Sequence, residues 1–180
     1  YICLQQGKDG NGSANTSTVK PSGTATKAFT TADGYVWKFL YGLTATRANS
    51  FLTSNFLPIQ KETATSTGEA IREQQFTIQE AAIAGQITGI SVVSGGAGYS
   101  GSTQSVVIRG DGNTALATAT ATGGSIVKVE MDSARAGGSG YNFASARVTA
   151  GSPTTEAILR PVLSPPNGFG ADPRDELKST

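Results

Sequence analysis

Apolar residues in this chain occur in short runs, many of them alternating or β-branched, and polar stretches rich in Gly, Ser and Thr separate them. That pattern predicts short strands joined by tight turns. The first run, Tyr1-Ile2-Cys3-Leu4, is strand-like, and residues 6–31 then contain almost nothing apolar, which predicts a long loop. In Asp33-Gly34-Tyr35-Val36-Trp37-Lys38-Phe39-Leu40-Tyr41 a turn dipeptide opens a strand that places Tyr35, Trp37, Phe39 and Tyr41 on one face. Half-buried core is the plain reading of that face, and an exposed binding stripe is the alternative.

Residues 49–60 hold Phe51, Leu52, Phe56, Leu57 and Ile59 around Pro58, a pattern that fits a helical turn followed by an extended piece. The polar segment 61–68 reads as a linker, with a boundary near Gly68 between a β-rich region, 1–67, and a second unit, 68–163. Beyond it, Thr67, Ala70, Ile71 and Arg72 suit a helix start, whereas Phe76 and Ile78 alternate; the β-branched and aromatic residues favour a strand from about Gln74.

The second unit repeats itself. Ile90-Ser91-Val92-Val93 leads into Gly95-Gly96-Ala97-Gly98-Tyr99 and then Val106-Val107-Ile108; Ile126-Val127-Lys128-Val129 leads into Gly137-Gly138-Ser139-Gly140-Tyr141 and then Ala146-Arg147-Val148. The two tyrosines give a period of 141 − 99 = 42 residues. A further strand closes each copy, at 115–122 and 156–162, after the turns Gly110-Asp111-Gly112-Asn113 and Gly151-Ser152-Pro153-Thr154. Two copies are too few for an open solenoid, so this duplicated three-strand unit is expected to close into a compact β-domain or to stack on another chain. A Pro- and Gly-rich tail, 164–180, follows.

Composition sharpens the expectation to an all-β fold of short antiparallel strands. The apolar share is only 37%, Gly reaches 23 residues and Met occurs once, a mixture poor in helix formers. Fourteen Lys and Arg against 13 Asp and Glu are scattered without runs, which gives no footprint for nucleic acid. No apolar run approaches the length of a membrane span. With no His and one Cys, zinc sets, Ser-His-Asp triads and Cys-His pairs within this chain are excluded. The lone Cys3 forms no internal disulfide, which is compatible with assembly in a bacterial cytoplasm. The start at Tyr1, inside a strand-like run, leads us to expect that the numbering begins within a longer polypeptide.

The remaining motifs have structural readings. Gly96-Ala97-Gly98-Tyr99-Ser100-Gly101 spells a dinucleotide fingerprint, but 103–108 reads as a strand where that site needs a helix N-terminus, and the second copy lacks the third Gly. Tight turns explain Gly95, Gly96, Gly98, Gly137, Gly138 and Gly140 in both copies, and no cofactor is expected. Asp111 and Asn113 lack the further oxygen ligands and closing Glu of a calcium loop, and the pairs Glu69 with Glu73 and Glu130 with Asp132 read as solvated faces. No catalytic, cofactor-binding or metal-binding residue is assigned, and no enzymatic activity is expected.

Two passages, Tyr1-Ile2-Cys3-Leu4 and Asp33-Gly34-Tyr35-Val36-Trp37, resemble the Tyr-x-Cys-Leu and Asp-Gly-Tyr-Val-Trp passages of the gene eight baseplate wedge proteins of T-even and related cyanobacterial phages. The tail, with Pro165-Pro166, Gly168-Phe169-Gly170-Ala171-Asp172-Pro173 and Glu176-Leu177, is similar to a passage in the longer cyanophage-type relatives. The resemblance covers residues 1–59 and 164–177; the Gly-Gly-x-Gly-Tyr repeats have no counterpart in the T-even protein and look like an insertion. It implies a β-rich subunit of the virion tail baseplate, assembled in the host cytoplasm. Such a subunit dimerises, binds other wedge proteins and takes part in baseplate rearrangement on infection. A receptor- or glycan-binding tail module, with Tyr99, Tyr141 and Trp37 stacking on sugars, is the alternative, and exposed tyrosines in both repeats are its requirement.

Overall fold

A computed structural model describes residues 1–65, 68–132, 137–149 and 152–178. Thr67, expected at the helix start, Gly151, expected in the second turn, and the last two residues of the tail, 179–180, lie outside the described residues.

Among the described residues the chain is a mixed α/β fold, which overturns the all-β expectation: three helices accompany three separate sheets. The first sheet joins β1 (Ile2–Gln5), β2 (Phe29–Thr30) and β3 (Val36–Lys38) in the order β1-β3-β2. The helices α1 (Ala45–Phe51) and α2 (Ala70–Glu80) follow. The strand expected from Gln74 is thus a helix. Ile71, Gln75, Ile78 and Gln79 fall at helical spacing, and Gln75, Ile78 and Gln79 are buried on one face. The Ala, Arg, Glu and Gln between them are strong helix formers and outweigh the Phe76/Ile78 alternation.

The remaining strands are β4 (Ile87–Ser94), β5 (Thr103–Gly110), β6 (Ala117–Thr122), β7 (Ser125–Met131), β8 (Ala144–Val148) and β9 (Ile158–Leu163). They form a two-stranded sheet, β4-β9, and a four-stranded one, β7-β6-β5-β8, all antiparallel. One hydrophobic core draws on both sheets: Ile87 and Ile90 from β4, Val106 from β5, Ala117, Ala119 and Ala121 from β6, Ile126 and Val129 from β7, Val148 from β8, with the rings of Tyr99 and Tyr141. On β6 the alanines point inward and Thr118 and Thr122 outward, the period-two burial of a strand with one wet face. The tail ends in a single turn, α3 (Pro173–Glu176), capped by Asp172 with Pro173 at its first position.

The sheet pairings cross between the two copies of the repeat. Strand β4, first of its copy, pairs with β9, third of the other; β7 pairs with β6 in the same way; the two middle strands, β5 and β8, pair with each other. The glycine turns cross as well. The Tyr99 N–H donates to Gly124 O and the Tyr141 N–H to Gly85 O, both at 3.0 Å, while Ile126 donates to Gly95 O (2.8 Å) and Ile87 to Gly137 O (3.0 Å). Ala97 exchanges two bonds with Thr155, and Ser139 exchanges two with Asn113. Each of these turn bonds in one copy therefore has its counterpart in the other, whereas the β5–β6 ladder within the first copy has none, because β8 and β9 belong to different sheets.

The close approach requires glycine at two matched positions. At Gly96 (φ +64°) an added Cβ would lie 2.7 Å from the Ala157 nitrogen, and at Gly138 (φ +67°) 2.7 Å from the Ala115 nitrogen. Alanine at either position is expected to destabilise the protein by more than about 2 kcal/mol, because backbone must move apart in a strained conformation. Gly123→Ala, at φ +60° with nothing within 4 Å of its Cβ, should lose only about 1 kcal/mol from conformation alone. Chemical denaturation of the three variants checks this; equal losses at all three positions would contradict it.

Candidate functional site

The passages that carry the family resemblance are brought together around β3. Strand β1 pairs with it in the register Ile2↔Lys38 and Cys3↔Trp37, and β2 flanks it on the other side, Phe29↔Trp37. Tyr35 and Trp37 share a face and stack at 5.8 Å between centroids, 17° apart in plane. Phe39, buried, takes the Tyr1 ring edge-on at 5.3 Å, and Tyr1 meets Phe29 at 6.2 Å. The regular alternation stops at Lys38: that residue is buried, as are both Phe39 and Leu40, while Tyr41 is half-buried beyond the end of the strand. The aromatic residues thus act mainly among themselves and against Tyr1; stacked pairs of this kind contribute about 0.5–1.5 kcal/mol each.

The Asp33-Gly34 turn does more than open the strand. One carboxylate oxygen of Asp33 accepts the Thr31 hydroxyl, and the other accepts the Ser17 hydroxyl and the backbone N–H groups of Thr18 (2.8 Å) and Val19 (2.9 Å). Its carbonyl accepts Asn15 Nδ2, and the Tyr35 hydroxyl donates to Asn15 O at 2.6 Å. The Thr31 hydroxyl, together with those loop donors, holds the Asp33 carboxyl well below the usual carboxylate range. The polar loop between β1 and β2 is therefore tied down by side-chain and backbone donors converging on one acid. The buried Trp37 Nε1 and Asn15 Oδ1 lie in the same region without hydrogen-bond partners.

The C-terminal passage reaches the far end of β3. An added Cβ at Gly170 would stand 3.0 Å from Lys38 Cε and 3.3 Å from Ile78 Cγ2, so the tail lies against both β3 and α2. The Lys38 ammonium donates to Thr26 O at 2.7 Å; burial lowers its pKa, and Glu176 nearby works in the opposite direction. Burial raises the pKa of Glu176, which also accepts the Gly170 N–H. Between this sheet and strands β4 and β7 lies a cavity of about 410 Å³. Leu4, Ala28, Val36, Ile83, Ile87 and Met131 form its apolar lining, and Lys38, Lys128 and Glu130 are among its charged residues.

The repeat residues stand apart from this cluster. Gly95, Gly96, Gly98, Gly137, Gly138 and Gly140 build the crossing turns, and Tyr99 and Tyr141 are 5% and 6% exposed, so neither ring is presented to a sugar. The Tyr99 hydroxyl accepts the Ala157 N–H at 2.7 Å. A strand, β5, follows Gly96-Ala97-Gly98, in place of the helix a dinucleotide would need. Asp111 accepts both N–H groups of its neighbours across the turn, Asn142 and Phe143, as well as Asn142 Nδ2. The acidic pairs are engaged: Glu130 with Lys128 at 2.6 Å, and Glu69 with Arg72 at 3.3 Å. No group of three metal-ligating side chains occurs among the described residues.

Two features escaped the sequence reading. Glu62 is buried and paired with Arg72 of α2, beside Gln75 and Gln79. The signal was the one-face spacing of Arg72, Gln75 and Gln79, visible only once 70–80 is read as a helix. The second is a lobe at 51–57, where Phe51, Leu52, Phe56 and Leu57 are all exposed, Phe56 to 73%.

Acid titration tests the carboxylate caps. The Asn142 side-chain amide, with the Phe143 and Asn142 N–H groups, holds the Asp111 pKa down to about 2. A carboxylate depressed when folded contributes stability above its unfolded value near 4 and loses it as pH falls through the folded value. The Asn142 and Phe143 amide resonances should therefore keep their native shifts at pH 4 and titrate with a midpoint near 2; a midpoint near 4 would contradict the cap. Asp33→Ala should speed hydrogen exchange at Thr18 and Val19 while leaving β4–β9 unchanged. Comparison with family models, curated proteins and solved structures yields no match.

Proposed function

We propose that this chain is a non-catalytic structural subunit of a contractile phage tail baseplate wedge, working through contacts with other wedge proteins and with a second copy of itself. What supports the reading is the meeting of the three passages that resemble the gene eight family. The Tyr1–Leu4 passage pairs with the Asp-Gly-Tyr-Val-Trp strand, and the Gly-x-Gly-x-Asp-Pro tail closes on Lys38 of that strand. Residues far apart in the chain share one substructure, as expected of a unit inherited together.

The physical properties suit assembly. The charge-poor lobe with Phe51, Leu52, Phe56 and Leu57 offers apolar area of the kind that partners cover. The duplicated strands form a stiff body in which neither edge of the β7-β6-β5-β8 sheet is far from β4 or β9. On this reading the subunit belongs to the virion baseplate, is assembled in the host cytoplasm, and takes part in the rearrangement that accompanies contraction. The glycan-binding alternative loses its matched tyrosines to burial, which leaves Trp37, half-buried against Tyr35.

An electron-microscopy map of intact tails tests the reading directly. Density for the chain in the baseplate, paired around the sixfold axis and touching other wedge proteins, is the expected result; density on a fibre tip, or none in the virion, would overturn it. In the same particles, the double variant Phe51→Ser, Phe56→Ser should fold with unchanged thermal stability and incorporate less well.

A further inference from the structure

Residues 43–59 are held to the rest of the molecule in an unusual way. Every hydrogen bond that this segment makes among the described residues stays within it: Ala48 to Thr44, Leu52 to Ala48, and the Thr53 to Phe56 turn. Helix α1 buries no side chain, and residues 51–57 are exposed throughout. A polar clamp begins immediately afterwards. The Glu62 carboxylate receives Arg72 Nε (3.0 and 3.1 Å) and Arg72 Nη2 (2.8 Å), as well as the Gln60 amide. The Gln79 side-chain amide accepts the Glu62 N–H at 3.0 Å and donates to the Glu62 carbonyl at 2.8 Å, much as a neighbouring strand would. Gln75 donates to Gln60 O at 2.7 Å and to Gln79 Oε1 at 3.1 Å. At the other end of the segment Gly42 packs on Ile71, the first turn of the same helix.

We infer that residues 43–62 form a hinged arm that the Glu62 clamp latches onto α2 and that swings free as a unit when the latch opens. Both attachments lie on one helix, one of them a small apolar contact at Gly42 and the other a set of directional polar bonds. A polar set of this kind fails together, because removing one member leaves buried donors or acceptors without partners. Opening it exposes limited apolar surface, since Leu43, Pro58 and Ile59 are only half-buried and no apolar side chain of the arm is fully buried, so the barrier to release lies mainly in the clamp. The inference holds whichever partner the exposed lobe meets, and does not depend on the baseplate reading.

Limited proteolysis of the full protein by trypsin tests it, with hydrogen exchange of the β4–β9 strands measured in parallel. The Lys61–Glu62 bond lies in the clamp, so its cleavage requires the latch to open. Glu62→Gln is expected to speed cleavage there by about tenfold or more, with exchange in β4–β9 unchanged. Arg72→Gln should act to a similar extent, and the double variant should add nothing further, because both substitutions open the same latch. Unchanged cleavage in either single variant would overturn the inference. So would cleavage that rises only together with loss of protection in β4–β9, since the clamp would then belong to the common core.

Discussion

The hydrogen-bonded exchange of glycine turns between the two repeat copies is the constraint on which the larger part of the molecule depends. A lone three-strand unit, one copy of which carries only alanines on the buried face of its third strand, β6, cannot bury enough apolar surface by itself. Crossing solves this in two ways. The first strand of each copy finds its partner in the other copy, and the turn that follows each first strand bonds to the backbone just before the other's first strand. Each such bond contributes on the order of 1 kcal/mol, but together they join the copies so that neither can leave its place alone. The Gly-Gly-x-Gly-Tyr spelling follows from that geometry: glycine where backbone meets backbone, and tyrosine where a ring must fill the core, the Tyr99 hydroxyl also accepting the Ala157 N–H.

The rest of the chain is organised by polar rather than apolar means. Asp33 gathers a loop with no core of its own, Lys38 ties Thr26 to the tail side of the sheet, and Glu62 clamps an extended strap to α2. A composition lean in large apolar residues makes this necessary, since loops of Gly, Ser, Thr and Asn supply many donors and little surface to bury. Such ties are directional and local, so the segments between them, above all 43–59, make their hydrogen bonds within themselves and are held to the core at their ends.

How much of this was legible in the sequence varies with the physics of each part. Strands β4 to β9 coincide with β-branched runs bounded by glycine turns, because one wet face and one buried face impose a period of two. Helix α2 is hidden from the hydrophobic pattern because its buried face is made largely of glutamines, which register as polar in any such pattern while hydrogen bonds satisfy them inside. The face of Tyr35, Trp37 and Phe39 was visible as alternation, but the burial of Lys38 was not, since the carbonyl of Thr26 that receives it lies 12 residues away in a loop. The crossing of the repeats was invisible for a similar reason: periodicity reports that two units exist, and only the pairing of β4 with β9 and β7 with β6 reports how they interlock.

Native-state hydrogen exchange across a denaturant series tests the interlock most directly. The amides to follow are those that bridge the copies: Tyr99 and Ile126 at one turn, Tyr141 and Ile87 at the other. If the copies form one interlocked unit, all four will merge into a single opening with the same free energy and the same denaturant dependence. Two distinct openings, with one turn exchanging while the other stays protected, would show that the copies are independent and contradict the account.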